Sequence, residues 1–193
     1  MHIDLHKSVA DIFRSIQWFS PFVTGILRSF CVIEKNPRGQ RPVAPEVIYL
    51  EGIIMDFRKI FDSIPDEFDK WRPRYCNELF SDLIEYAKID SSKNALEIGP
   101  GTGQATEPIL KTGCLYLAIE LGENFVDFTK NKFSSYDNFQ IVNADFETYD
   151  FGNDRFDLVY SAAAFQWIPE KIGYPKAYNI LKKNGTFAML VTR

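Results

Sequence analysis

Residues 95–106 read Ala-Leu-Glu-Ile-Gly-Pro-Gly-Thr-Gly-Gln-Ala-Thr, and no other stretch limits the fold so strongly. Ala95, Leu96 and Ile98 predict a short buried strand, and Gln104 to Leu110 has helical periodicity, so glycines join a strand to a helix. The turn must enter the left-handed backbone region, and a side chain at Gly101 would hold a ligand off the main chain. The helix start turns unpaired N–H groups toward whatever lies across the turn. The spacing separates two ligand classes. A dinucleotide site requires G-x-G-x-x-G/A, whereas the third glycine here falls one place early, at Gly103, and Gln104 occupies the expected position.

The rest of the chain repeats this alternation. Met55–Ile64 is predicted as a short helix and Asn77–Lys88 as a longer one, with Leu79, Phe80, Leu83, Ile84 and Ala87 on one face. Between them, Trp71 and Tyr75 read as core anchors at a turn leading into the second helix. Gly113 reads as the residue closing the helix after the glycine turn, and Leu115–Ile119 is a second strand closed by Glu120. An acid there, about twenty residues past the first glycine, can accept both ribose hydroxyl hydrogens of an adenosine. Glu123–Phe133 reads as a helix, Phe139–Val142 as a third strand running into Asp145, and Phe156–Tyr160 as a fourth. Tyr174–Leu181 then reads as the last helix, stopped near Asn184-Gly185, before a fifth strand, Thr186–Thr192. This is an α/β chain, a Rossmann-like doubly wound parallel sheet with strand order 3-2-1-4-5. The glycines lie at its switch point, where ligands bind at the carboxyl ends of the strands.

Residues 1–54 read differently. Val9–Ile33 predicts one or two aromatic-rich helices broken at Pro21, and Glu34–Glu46 a loop. His2 and His6 are too sparse a pair to imply a metal. The run Ile12–Ile33 is interrupted by Arg14, Gln17, Pro21 and Arg28, so neither a spanning helix nor a secretion signal is expected. Cys31, Cys76 and Cys114 are scattered and odd in number, which fits a reducing cytoplasm. The formal net charge of -4 argues against nucleic-acid binding through a basic surface, leaving small-molecule or protein partners.

With Glu97 two places before Gly99, the glycine turn resembles motif I of the class I S-adenosylmethionine-dependent methyltransferases. Glu120 fits that resemblance. It implies S-adenosylmethionine as cofactor, held by Glu97, Gly99, Gly101, Gly103, Glu120 and Ser161, with Asp145 accepting from the adenine amino group and Phe146 lying along the ring. The phrase from Phe156 to Ile168 is similar to motif IV of small-molecule methyltransferases, whose residues after the strand face the reactive methyl. Most relatives have His-Trp there. This chain has Gln166-Trp167, as in trans-aconitate methyltransferases and the malonyl-carrier methyltransferases of biotin synthesis, and it lacks the Asn-Pro-Pro-Tyr of amino-directed nucleic-acid methylation. Arg72-Pro73 followed by Tyr75 resembles a cofactor-covering lid, so the resemblance gives Arg72, Tyr75, Phe165, Gln166 and Trp167 as lid or substrate candidates.

The implied activity is methyl transfer to a small-molecule acceptor, with a carboxylate favoured because no histidine follows Met55. Tyr160 or an acid is left as a candidate base, no catalytic residue is assigned, and no metal or membrane partner is expected. A nucleotide-binding Rossmann protein and a non-catalytic methyltransferase-like interaction module are the competing readings. The resemblance covers residues 55–193. Residues 1–54 read as an extension of unknown role, with Met55 a candidate internal start after the purine-rich codons of Glu51-Gly52. The family's sheet continues with an antiparallel pair after the fifth strand, so the domain is expected to be C-terminally incomplete, its last strand an apolar edge to be covered by the N-terminal aromatic segment or by a second copy of the chain in a homo-oligomer.

Overall fold

The computed structural model describes residues 49–50, 53–54 and 57–191. The helices expected in Val9–Ile33, the loop after them, His2, His6 and Cys31 lie outside the described residues. Strands β1 (Tyr49–Leu50) and β2 (Ile53–Ile54) pair antiparallel, Tyr49 opposite Ile54, in a unit separate from Met55–Thr192.

Within Met55–Thr192 the elements follow in the order α1 (Pro65–Trp71), α2 (Asn77–Ala87), β3 (Asn94–Ile98), α3 (Thr106–Leu110), β4 (Leu115–Glu120), α4 (Glu123–Lys132), β5 (Phe139–Asn143), β6 (Phe156–Ala162), α5 (Glu170–Ile180) and β7 (Leu181–Leu190). The sheet order is β5-β4-β3-β6-β7 with every neighbouring pair parallel. This is the 3-2-1-4-5 order of a Rossmann-like α/β sheet. Strand β3 is central and buried on both faces, as parallel strands covered by helices on either side must be. Its period of two divides the core. Ala95 packs with Phe80, Ile109, Leu110, Tyr116 and Tyr160, and Leu96 and Ile98 pack on the other side with Phe146, Phe151, Phe156 and Phe165.

Three helices depart from the sequence expectation. Residues 57–64 hold only a 3-10 turn, Phe57–Lys59, and the helix begins at Pro65, whose fixed φ and missing N–H suit a first helical position. It stops at Arg72, which is extended (φ -65°, ψ 127°) because a residue before proline is held out of the helical region. After the glycine turn, residues 101–105 remain in turn geometry and α3 covers only Thr106–Leu110, since Gly101 and Gly103 both have positive φ. Helix α5 starts at Glu170, with the Pro169 carbonyl accepting the N–H of Ile172 and Gly173. Gly173 and Pro175, both poor helix formers, disguise its first turns in the sequence.

Strand β7 starts earlier than expected and is irregular. Phe156 faces Leu181 while Leu158 already faces Thr186, so residues 182–185 bulge out, with Asn184 left-handed at φ 66°. Among the described residues β7 pairs only with β6.

Candidate functional site

The three glycines of the turn serve different contacts. A Cβ on Gly99 (φ 67°) would come within 2.5 Å of the Ala164 Cβ, and one on Gly103 (φ 80°) within 2.5 Å of the Phe133 ring. Gly101 (φ 56°) faces only the edge of Phe68, at 3.4 Å. Gly99 and Gly103 are therefore required by packing, and Gly101 is the one whose backbone a ligand can approach. The turn is fixed to the next strand by the Gly99 N–H, which donates to the Ile119 carbonyl at 2.9 Å.

Glu120, at the carboxyl end of β4, ties the turn to the start of α4. Its Oε2 accepts the Gly101 N–H at 3.0 Å and its Oε1 the Gly122 N–H at 2.9 Å. Burial pushes its pKa up, against the downward pull of the Gly122, Gly101 and Leu121 N–H groups. A carboxylate has about four lone-pair positions, so two N–H bonds leave acceptor capacity for hydroxyls.

Glu97 is placed differently. It lies fully buried beneath the turn, where Oε2 accepts from Thr106 Oγ1 at 2.6 Å and from the Tyr116 hydroxyl at 2.5 Å. Its Oε1 has no partner. Burial raises its pKa to about 7, although the hydrogen bonds from Thr106, Tyr116 and Tyr160 oppose the rise. Tyr160 bonds Tyr116 and donates to the Ala105 carbonyl at 3.1 Å, and burial holds its phenol well above the ordinary range. So sealed, Tyr160 is removed from the candidate bases.

Asp145 follows β5 on the same lip of the sheet as Glu120, and the Ala144 N–H beside it donates to the Glu120 carbonyl at 3.0 Å. The Asp145 Oδ1 accepts the Glu147 N–H at 2.9 Å, and Oδ2 pairs with Arg58 Nη1 at 3.0 Å. Phe146 turns inward. Its ring packs on Phe151 and Phe165, with Lys176 Nζ 5.4 Å from its centroid.

Across the turn, the loop after β6 is held by Ser161, whose Oγ donates to the Ile98 carbonyl at 2.8 Å. Ala163 is left-handed at φ 57°, and this bend brings Ala164 against Gly99. Phe165 is buried between Tyr174 and Phe187, at 5.3 and 4.8 Å. The Gln166 amide donates to the Ala163 carbonyl at 2.9 Å within its own loop, and Trp167 is 42% exposed. Tyr75 meets Phe80 edge-on, and burial raises its pKa while Arg72 opposes the rise. The Arg72 guanidinium stands 5.4 Å from the centre of the Phe68 ring.

Sequence reasoning missed the contribution of residues 58–69. Besides Arg58, Asp62 accepts the Phe125 N–H at 2.9 Å and caps α4, whose own cap residue, Gly122, has no side chain. A Cβ on Gly122 would fall 2.2 Å from that carboxylate. Asp69 accepts from Lys132 Nζ at 2.8 Å, fastening α1 to α4. None of these contacts has a periodic or motif signature, since each joins residues about sixty or more positions apart. Among the described residues no His/Cys/Asp/Glu cluster could hold a metal ion, and no helix is long and apolar enough to cross a membrane.

Residues 96–189 match a family model described as a methyltransferase domain. The ribosomal RNA small subunit methyltransferase A of Clostridium acetobutylicum is 35% identical over 77 residues, 40% of this chain and 28% of that protein. Its namesake from Hahella chejuensis is 39% identical over 69 residues, 36% of this chain and 25% of that protein. The match thus spans about a quarter of the length of these two curated relatives. In fold it is similar to a SAM-dependent methyltransferase from Aquifex aeolicus, with a TM-score of 0.53 and 15% identity over 61% of this chain and 67% of that one. The relatives' names overturn the expectation that nucleic acid is excluded as a partner. Net charge is a whole-chain sum and does not report local distribution: Lys70, Arg72 and Arg74 fall within five residues of an otherwise acidic chain.

Proposed function

Residues 96–189 being a class I S-adenosylmethionine-dependent methyltransferase domain, we propose that the chain catalyses methyl transfer from S-adenosylmethionine to an acceptor presented at the loop of residues 161–167. The observation that supports this is convergence. Glu120 holds the Gly101 N–H, Asp145 lies beside it on the same lip, and Ala164 closes on Gly99 from the other side of the turn. The residues fit the cofactor. Gly101 leaves its backbone open to approach, Glu120 retains acceptor capacity that suits a ribose, the part-exposed Asp145 carboxylate offers an acceptor that suits an adenine amino group, and the buried Glu97 Oε1 lacks a donor.

When bound, the cofactor supplies a methyl carbon already activated by its sulfonium. The protein then needs to align the acceptor and exclude water. The segment from Ser161 to Ile168 contains no ionisable side chain, Tyr160 is sealed in the core, and the Gln166 amide is bonded to its own loop. An acceptor that is nucleophilic at neutral pH without a base meets this site best, and a carboxylate is such a group. The second reading is an RNA base, favoured by the ribosomal RNA methyltransferases among the relatives. Incubation with labelled S-adenosylmethionine and either a panel of small acids and amines or ribosomal RNA discriminates between them. Label in acids supports the carboxylate, label in RNA the second reading, and absence of transfer to every acceptor together with absence of S-adenosylhomocysteine binding refutes the assignment of function.

A further inference from the structure

We propose that Arg58 is a positioning residue that orients Asp145 toward the cofactor's adenine, so that the segment from Arg58 to Asp62 completes the adenosine site; this rests on the function proposed above. One guanidinium nitrogen of Arg58 bridges two carboxylates, Asp145 Oδ2 at 3.0 Å and Glu147 Oε1 at 2.8 Å. The other Asp145 oxygen is fixed by the Glu147 N–H. These bonds from two directions set the plane of the carboxylate, yet its side chain remains 25% exposed, so it has a lone pair and open surface for one more donor.

The local charges explain why a cation is needed. Asp145 and Glu147 are two residues apart, Glu120 lies on the same lip, and Asp62 is close enough to raise the Glu120 pKa. Among the described residues, a second cation near this pair, Lys176, has its ammonium donating to the Glu147 and Tyr149 carbonyls, at 3.1 and 2.5 Å. Without the Arg58 bridge, Asp145 and Glu147 repel each other and Asp145 loses the bond that aims it. Asp62, four residues on, caps α4 beside Glu120, so the same segment is pinned at both the adenine and the ribose ends of the crevice.

The test uses the whole chain and calorimetric titration with S-adenosylhomocysteine and with its 6-oxo counterpart, S-inosylhomocysteine, which has no exocyclic amino group. Wild type is expected to prefer the adenine compound. Arg58→Met should weaken the adenine compound about tenfold, the effect of losing one well-aimed hydrogen bond to a charged group, while changing the 6-oxo compound about twofold or less. Arg58→Lys should restore part of the preference. A purely structural Arg58 would weaken both ligands equally or neither, and either result overturns the proposal. Failure of wild type to bind either ligand would instead refute the cofactor reading beneath it, and the positioning role with it.

Discussion

Two glutamates near the glycine turn differ in what surrounds them. Glu120 is held by backbone N–H groups, and Glu97 is packed among hydroxyls and apolar side chains with one oxygen unpartnered. Removing the Glu120 carboxylate frees two N–H groups and, under the proposed function, deletes the acceptor offered to the ribose. Glu120→Ala is expected to weaken S-adenosylhomocysteine binding by about 1 to 3 kcal/mol, measured by titration calorimetry. The glycines give a sharper contrast. At Gly99 a methyl group meets the Ala164 Cβ in a left-handed backbone, so Gly99→Ala should cost about 2 kcal/mol or more of folding stability in urea unfolding. Gly101→Ala meets only the Phe68 edge, so beyond the about 1 to 2 kcal/mol of backbone strain it should act on ligand binding. Equal stability losses for the two would show that packing against Ala164 is not what fixes Gly99.

At the scale of elements, α4 borrows its cap from far away. Asp62 accepts the Phe125 N–H in place of the side chain that Gly122 lacks, so Asp62→Ala should cost about 1 kcal/mol, as lost caps do. Thermal unfolding reads that loss, and an unchanged midpoint would mean that water caps the helix equally well. This contact marks where the sequence stops being legible. Strands β3 to β6 were readable because buried parallel strands are short apolar runs, and Glu120 and Asp145 because they close such runs. Helix α1 is hard to place from sequence because Met55–Ile64 is apolar enough to imitate a helix, whereas the start signal is the single Pro65 followed by Asp66 and Glu67. The left-handed Ala163 is not a turn-forming residue type, and the Asn184-Gly185 of the bulge at residues 182–185 reads in the sequence as a helix stop rather than as a bulge within a strand. Contacts such as Arg58 with Asp145 depend on the folded topology and leave no local pattern.

For the whole molecule, the sheet order buries Glu97 at the centre, and this couples folding to pH. Tyr116 from β4, Tyr160 from β6 and Thr106 from α3 face its carboxyl, Tyr75 stands close enough to feel its charge, and Glu120 contributes a like charge. In the unfolded chain this acid titrates near 4.5, and in the folded protein at about 7. Between those values the folded state holds more protons than the unfolded one, so the stabilisation is complete below the lower value and is lost as pH rises to the upper. A rise of that size corresponds to about 3 kcal/mol. Glu120, also raised, acts in the same direction, and Asp69 and Asp157 act in the opposite direction at more acidic pH: burial pushes each up, but Lys132 with Arg74, and Lys182 with the Asn94 N–H and Lys93, together bring them down. The Glu97 contribution is therefore isolated by comparison with Glu97→Gln, which mimics the protonated acid at every pH. Urea unfolding from pH 5 to pH 8 should give wild type and variant similar stability at the acid end and a growing advantage to the variant toward pH 8. Curves that run parallel across the series would mean that Glu97 titrates alike in both states, and that its unpartnered oxygen carries no charge cost.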